Sequence, residues 1–131
     1  MTTRREIIPP GMENIRERFH YAPGLLVGDT LHIAGQVGRD ANLRVVEGTE
    51  AQMVQAFENV KKVLTAAGAT FDDVVDMTTY HVAIDEHWPA FIEVKKRMLP
   101  RSAFPWTAIG VAALADPAFL LEVKATACRS R

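Results

Sequence analysis

The spacing of hydrophobic residues in the first half of the chain predicts a hairpin followed by a helix. Residues 18–27 and 30–37 are rich in aromatic, Leu, Val and Ile side chains, and the Gly-Asp pair between them has the form of a two-residue turn. Over residues 53–67 the apolar positions recur every three or four residues, which is the period of an α-helix. Residues 49–52 have the form of a capping box at the start of this helix.

The second half of the chain predicts a strand, a helix and two further strands. Residues 74–84 alternate as a strand does, and Asp85 is placed to cap a helix that ends before Pro100. Strands follow over residues 104–114 and 119–128. The predicted order is βββαβαββ, an α+β two-layer sandwich in which a mixed sheet carries two helices on one face.

The strand predicted over residues 104–114 is largely apolar on both of its faces. One face carries Trp106, Ala108, Gly110 and Ala112, and the other carries Thr107, Ile109, Val111 and Ala113. Two helices can cover only one face of a sheet, and an exposed apolar face is a liability in a monomer. We therefore predict a homo-oligomer in which another subunit covers the second face.

Composition and charge narrow the class of protein. A chain of 131 residues with 48% apolar and 24% charged residues is typical of one globular domain, which we assign to residues 1–131. The formal net charge of -1 provides no basic field that would recruit nucleic acid or an anionic membrane. The longest largely apolar stretch, residues 102–115, is shorter than the roughly 20 residues of a membrane span. Neither nucleic acid nor a membrane is an expected partner.

Cysteine content and the start of the chain bear on location. The single cysteine, Cys128, cannot form an intrachain disulfide, and residues 1–11 lack the apolar stretch of a signal peptide. We therefore expect a cytoplasmic protein.

Familiar cofactor and metal motifs do not occur. Residues 35–38 lack both the Lys-Ser/Thr ending of a P-loop and the third glycine of a dinucleotide-binding fingerprint. None of the histidines stands in an HxxxH or HExxH spacing, which applies to His20, His32, His81 and His87. We therefore expect neither a cofactor nor a metal site.

Glu122 is the best single catalytic candidate. It lies in a predicted strand whose alternate residues, Phe119, Leu121, Val123 and Ala125, are expected to face the core, so its carboxylate points to the opposite face. A charge on a face that meets another subunit either acts as an acid or base or forms an ion pair with a neighbouring Lys or Arg, and both alternatives stay open. Tyr21 and Trp106 either contact a ligand or simply pack.

Short motifs occur in a characteristic order from about Phe19 to Cys128. They are Tyr21, the segment 33–37, Asn59-Val60, Ala66-Ala67-Gly68, the segment 73–79, Phe104-Pro105, and Leu121-Glu122-Val123 followed by Ala125. Their order and spacing resemble the RidA (YjgF) family of reactive-intermediate deaminases. The resemblance implies a chorismate-mutase-like fold and a homotrimer with ligand clefts between subunits.

The resemblance also implies roles for individual residues. In the deaminase branch of the family, a glutamate on the last strand positions the water that hydrolyses an imine or enamine to a ketone and ammonia. Glu122 matches that position, and Tyr21 matches a tyrosine of the cleft. The expected ligand-binding residues are Tyr21, Trp106, Thr107, Gly35 and the backbone around Ile109 and Gly110.

At position 107 the chain lacks the positive charge that is found in the deaminase branch. Thr107 stands where the deaminase branch has an arginine that binds the substrate carboxylate. Threonine cannot supply a bidentate guanidinium clamp, whose loss typically costs a few kcal/mol of binding. The standard 2-aminoacrylate reaction is therefore not expected. Arg39 and Arg101 are alternatives for the missing charge, unless each is only an exposed loop arginine.

Three functional hypotheses follow. The leading one is a trimeric RidA-like protein whose intersubunit cleft binds a small carbonyl, imine or enamine metabolite and hydrolyses an imine or enamine with release of ammonia. The second is a non-catalytic small-molecule binding or sensor protein that has kept the cleft. The third is an endoribonuclease or translation inhibitor, which the net charge of -1 and the lack of a Lys/Arg cluster disfavour.

Overall fold

A computed structural model describes residues 3–130 of this chain, and these residues form six strands and three α-helices. In chain order they are β1 (Arg4–Ile7), α1 (Glu13–Phe19), β2 (Gly24–Val27), β3 (Thr30–Val37), α2 (Thr49–Ala66), β4 (Val74–Val82), α3 (Ile84–Met98), β5 (Trp106–Val111) and β6 (Leu121–Cys128). The strands lie in one sheet in the order β1-β2-β3-β6-β4-β5. Only β4 and β5 are parallel, so the predicted α+β fold with a mixed sheet is confirmed.

The core lies between the sheet and the two long helices. Phe57, Val60 and Leu64 of α2 and Phe91 of α3 are fully buried. They recur at the helical period, which puts them on one side of each helix, against the inward side chains of the sheet such as Leu121. Both long helices therefore cover the same face, as predicted.

The N-terminal region differs from the prediction. The three strands before α2 agree with the predicted order, but the short helix α1 is an addition to it. The strand predicted over residues 18–27 is wrong for residues 18–23, because α1 continues to Phe19 and His20 then takes a left-handed conformation with φ 60°. A seven-residue helix that buries only Ile15 has too little periodicity to be recognised from sequence.

The start of α2 also differs from the prediction. Gly48 is its N-cap residue and no side chain caps the helix, so the capping box at residues 49–52 is wrong. The Gln52 amide is buried instead, where it donates to the Ala118 carbonyl at 2.9 Å and accepts the Leu120 N–H at 2.6 Å. The Gln52 side chain makes these long-range hydrogen bonds in place of a local helix cap because they satisfy part-buried backbone groups of Ala118 and Leu120. The observed capping box joins Thr70 and Asp73, before β4.

The ends of β4, α3 and β5 are shifted from the predicted positions. The strand predicted over residues 74–84 ends at Val82, because Ala83 is left-handed with φ 51° and is the N-cap of α3. Asp85 lies in the first turn of α3 and does not cap it. The strand predicted over residues 104–114 is limited to Trp106–Val111. Pro105, which has no N–H for a strand ladder, precedes it.

The second face of the sheet carries Glu122 and Lys124 of β6, Thr78 and Tyr80 of β4, and Thr107 and Ile109 of β5; we call it the open face. The helices pack on the other side, against the buried residues of β6 such as Leu121 and Val123. Thr107 and Ile109 are exposed, Ile109 to 39%. A single chain thus leaves apolar surface of the sheet in contact with solvent.

No helix formed by residues 3–130 combines the length and the apolar composition that a transmembrane helix needs.

Candidate functional site

Glu122 lies on an inner strand of the sheet, near one end of the open face. Its strand, β6, runs between β3 and β4, and the pairing places Glu122 beside Val37 on one side and Tyr80 on the other. Tyr80 is in turn paired with Ile109 of β5. One row of side chains therefore crosses four strands, with the half-buried Glu122 carboxyl group near its middle.

The backbone of Gly35 is in close contact with the Glu122 side chain. The pairing of β3 with β6 shifts between Ile33 and Gln36, so Gly35 lies in a bulge, two residues before the Val37 that pairs with Glu122. A Cβ atom added to Gly35 would lie 2.5 Å from Oε1 of Glu122 and 2.6 Å from its Cδ. Only glycine permits this approach, and the structure thus brings two of the predicted site residues together.

If Glu122 positions the reacting water, as the sequence resemblance implies, Gly35→Ala should lower turnover of an imine by about tenfold, because the new methyl group must displace the Glu122 carboxylate from its position. The measurement is kcat in an ammonia-release assay, with the thermal unfolding temperature recorded on the same sample. Thr126→Ala, also on β6 but away from this contact, is the control and should leave kcat unchanged. Wild-type kcat in Gly35→Ala would contradict the assigned contact.

The Glu122 carboxylate has no protein partner within residues 3–130. The ion pairs of this part of the chain join other residues, and none of its side-chain hydrogen bonds involves Glu122. Within residues 3–130, Glu122 therefore does not form the ion pair with a neighbouring Lys or Arg that was the alternative to an acid–base role. Both carboxylate oxygens are available to a water molecule or a ligand.

Thr107 and Ile109 share the open face with Glu122. They lie on β5, at the edge of the sheet, so part of the β5 backbone has no partner strand within the described chain. Gly110 differs, because a Cβ atom there would lie 3.1 Å from Cγ2 of Ile84, on the helix side. Gly110 can therefore contact a ligand only through its backbone.

Trp106 lies on the other side of the sheet from Glu122. Its ring stacks on Trp88 of α3 with centroids 5.5 Å apart and planes 7° from parallel. Its Nε1–H donates to Oγ1 of Thr79 at 2.9 Å. The structure does not bring this predicted ligand-binding residue together with Glu122, because neighbouring residues of a strand face opposite sides and Thr107 takes the open one.

A polar cluster behind the sheet includes Trp106 and was missed by sequence reasoning. Oγ1 of Thr79 lies 2.7 Å from Nε2 of the buried His81, and burial lowers the pKa of His81 to about 4. Lys95 lies 4.4 Å from the Trp106 ring centroid and donates to Oγ of Ser102 at 2.8 Å. Burial also lowers the pKa of Lys95. These groups support the core of the sheet and do not reach the open face.

Tyr21 and Arg39 meet in a cavity at the end of β3. Nη2 of Arg39 donates to the Tyr21 hydroxyl at 2.9 Å, and both residues line a cavity of about 440 Å³. Arg39 follows the end of β3, where Val37 pairs with Glu122, so this cavity and Glu122 lie at the same end of the sheet. The structure thus places Tyr21, a predicted site residue, beside one of the two candidate arginines.

Asn59 fixes the backbone that carries Arg39. It is buried on the inward face of α2, and its Nδ2 donates to the carbonyls of Val37 at 2.8 Å and Arg39 at 2.9 Å. Gln55 donates to its Oδ1 at 2.8 Å. An asparagine within an apolar helical stripe is the signal by which sequence reasoning could have found this positioning residue.

Arg101, the second candidate arginine, lies at the other end of the sheet. It follows α3 and forms an ion pair with Asp72 at 3.4 Å, shortly before β4 begins. Glu122 pairs instead with Tyr80, near the end of β4. The Arg101 side chain is 82% exposed, so within one chain Arg101 is an exposed loop arginine.

Within the described residues, no group of three or more His, Cys, Asp and Glu side chains is arranged to hold a metal ion.

The sequence and the fold both match one group of known proteins. Residues 12–129 match the family model described as Endoribonuclease L-PSP. The RutC family protein YjgH of Escherichia coli is 32% identical over 124 residues, which cover 94% of this chain and 95% of that protein. The 2-iminobutanoate/2-iminopropanoate deaminase of Homo sapiens is 30% identical over 109 residues, covering 82% of this chain and 78% of that protein.

A solved structure of protein YJGH agrees with this chain over almost its whole length. The TM-score is 0.89 at 31% sequence identity, and 98% of each chain is covered. Such agreement defines a small α+β protein of the chorismate-mutase-like type. With the family model, it shows that the chain belongs to the RidA (YjgF) family, which confirms the resemblance drawn from the sequence.

Proposed function

We propose that this protein hydrolyses a small imine or enamine to a carbonyl compound and ammonia, with Glu122 positioning the water. The observation that carries the proposal is the unpaired Glu122 carboxylate on the open face, in contact with Gly35 and sharing its face with Thr107 and Ile109. Relatives named 2-iminobutanoate/2-iminopropanoate deaminase support the same reaction class.

We place the reaction in a cleft between subunits of a cytoplasmic homotrimer. The exposed Ile109 and the unpaired edge of β5 support assembly, because a second copy of the chain packed on the open face covers Ile109, and an unpaired strand edge is a site of contact for another chain. A closed cleft also excludes bulk water, which strengthens the hydrogen bonds and charges that act on the substrate.

In the proposed reaction, the Glu122 carboxylate accepts a proton from a water molecule as the water oxygen attacks the imine carbon. The carbon–oxygen bond forms, the C=N electron pair moves to nitrogen, and Glu122 returns its proton to that nitrogen, which gives a neutral tetrahedral adduct. The adduct then loses its hydroxyl proton to the Glu122 carboxylate, which passes this proton to the nitrogen as the carbon–nitrogen bond breaks, so a carbonyl group forms and ammonia leaves. The Thr107 hydroxyl and the β5 backbone supply the hydrogen bonds that orient the substrate.

A second candidate is a binding protein that does no chemistry. Thr107 favours it, since a threonine at this position lacks the charge by which a carboxylate would be held in place for reaction. The endoribonuclease named in the family description is less well supported, because the net charge of -1 gives little attraction for RNA. Release of bound ligand unchanged distinguishes the binding protein from the hydrolase.

The proposal is tested by ammonia release from 2-iminopropionate and 2-iminobutyrate, generated in situ by an amino-acid oxidase, with the wild type and Thr107→Arg. We expect the wild type to accelerate hydrolysis over the buffer control. Activity in Thr107→Arg alone would mean that the natural substrate lacks a carboxylate at that position. No acceleration by either protein would favour the binding protein.

A further inference from the structure

Two arginines and a tyrosine line the cavity at the end of β3. We call it the arginine pocket and define it by Arg18, Phe19, Tyr21, Arg39, Asp116 and Phe119. The Arg18 and Arg39 guanidinium groups lie 5.6 Å and 5.4 Å from the Phe19 ring centroid. Two cations and one aromatic ring thus meet at one cavity.

Neither arginine is neutralised by an ion pair with another residue of the described chain. The ion pairs formed by residues 3–130 engage Arg16, Arg97, Arg101 and Arg129. Asp116 is the one acidic residue of the pocket as defined, and its Oδ1 already accepts the Ala118 N–H at 2.8 Å. Two guanidinium groups against one carboxylate leave the pocket with an excess of one positive charge.

Arg39 is held in place before any ligand arrives. Its carbonyl accepts from Asn59, its N–H donates to the Val37 carbonyl at 2.9 Å, and its guanidinium donates to Tyr21. A fixed, half-buried guanidinium that uses one N–H on a phenol keeps its remaining donors for a ligand. The planar fork of those donors matches a carboxylate in two hydrogen bonds.

We infer that the arginine pocket binds the carboxylate of a small 2-oxo or 2-imino acid, with Arg39 as the main carboxylate-binding residue and Arg18 as a second cation. A cavity of about 440 Å³ is large enough to admit such a metabolite. Arg39 follows Val37 by two residues, a backbone span of at most about 7 Å, and Val37 is paired with Glu122. The placement of the ligand's reacting carbon near Glu122 rests on the proposed function. Binding of the ligand's carboxylate by Arg39 does not.

The test is binding of 2-oxobutanoate, compared with the uncharged 2-butanone, measured by calorimetry or ligand-observed NMR at low and moderate salt. We expect Arg39→Gln to raise the dissociation constant for 2-oxobutanoate by about tenfold or more, as the loss of a charge-assisted pair requires. Arg18→Gln should raise it less. Binding of 2-butanone should not change in either variant.

Arg101→Gln is the matched control, because it removes an exposed arginine from the other end of the sheet. It should bind 2-oxobutanoate as the wild type does. Arg39→Lys keeps the positive charge but loses the planar pair of guanidinium donors, so this variant should also bind 2-oxobutanoate more weakly. If Arg39→Gln does not fold, Arg39→Lys serves as the test of the inference. Unchanged affinity in the folded Arg39 variants, or no binding by the wild type, would overturn the inference.

The same experiment separates this inference from the proposed function. Binding that depends on Arg39, without any hydrolysis of imines, supports the arginine pocket and rejects the hydrolase. Hydrolysis of carboxylate-bearing imines that is unaffected in Arg39→Gln supports the hydrolase and rejects the arginine pocket.

Discussion

Glu122→Gln is expected to lower kcat for imine hydrolysis by a factor of about 10²–10⁴, the range that general acid–base catalysis contributes. Glutamine has nearly the same shape as glutamate but cannot accept a proton from water at neutral pH. Since the Glu122 side chain forms no hydrogen bond or ion pair within residues 3–130, its replacement should leave the fold intact. The measurement is kcat from ammonia release under saturating substrate.

Two controls accompany this variant. Sedimentation should show the same oligomeric state for Glu122→Gln and the wild type, which rules out loss of the cleft as the cause. Glu86→Gln, a substitution of an exposed glutamate in the first turn of α3, should keep wild-type kcat. Normal turnover in Glu122→Gln would remove Glu122 from the mechanism and leave the fold assignment untouched.

Acidification should destabilise the fold through His81. The imidazole is buried against Phe91 and Trp88, with ring centroids 4.5 Å and 5.7 Å away, and burial lowers its pKa from 6.5 to about 4. Between these two pH values the unfolded chain binds a proton that the folded chain does not, so falling pH favours unfolding. At 1.36 kcal/mol per pKa unit, the free energy of unfolding should fall by about 3 kcal/mol across this window.

Chemical denaturation at several values between pH 7 and pH 4 measures this effect. In His81→Gln the dependence of the unfolding free energy on pH should become shallower by the His81 contribution, whatever the absolute stability of the variant. His32→Gln, which replaces an exposed histidine of β3, should keep the wild-type dependence. Equal pH dependence in His81→Gln and the wild type would show that His81 is not the group responsible.

The fold was predictable because most elements carry their own periodic signal. The apolar stripe of α2 and the alternation in β4 and β6 each reflect the geometry of one element, which needs no knowledge of the rest of the chain. The predictions are wrong where the periodic signal is weak or where long-range contacts override the local preference. Helix α1 is too short to show a period, and Gln52 makes long-range bonds to Ala118 and Leu120 in place of a local cap.

The candidate site was predictable only in part. Alternation alone put Glu122 on the face opposite the core, and the structure agrees. Alternation also separates Trp106 from Thr107, but it does not say which of the two faces the helices. That depends on Trp88 of α3, whose ring stacks on Trp106 and keeps it behind the sheet.

Local periodicity and motif spacing are enough to identify the family, the order of most elements and the side of β6 on which Glu122 lies. The contacts between distant residues become visible only in the folded chain: Gly35 meets Glu122 at a bulge, and Arg39 meets Tyr21 across 18 positions. Strand register and the buried bonds of Asn59 fix those contacts. They arise from long-range packing, which local periodicity does not encode.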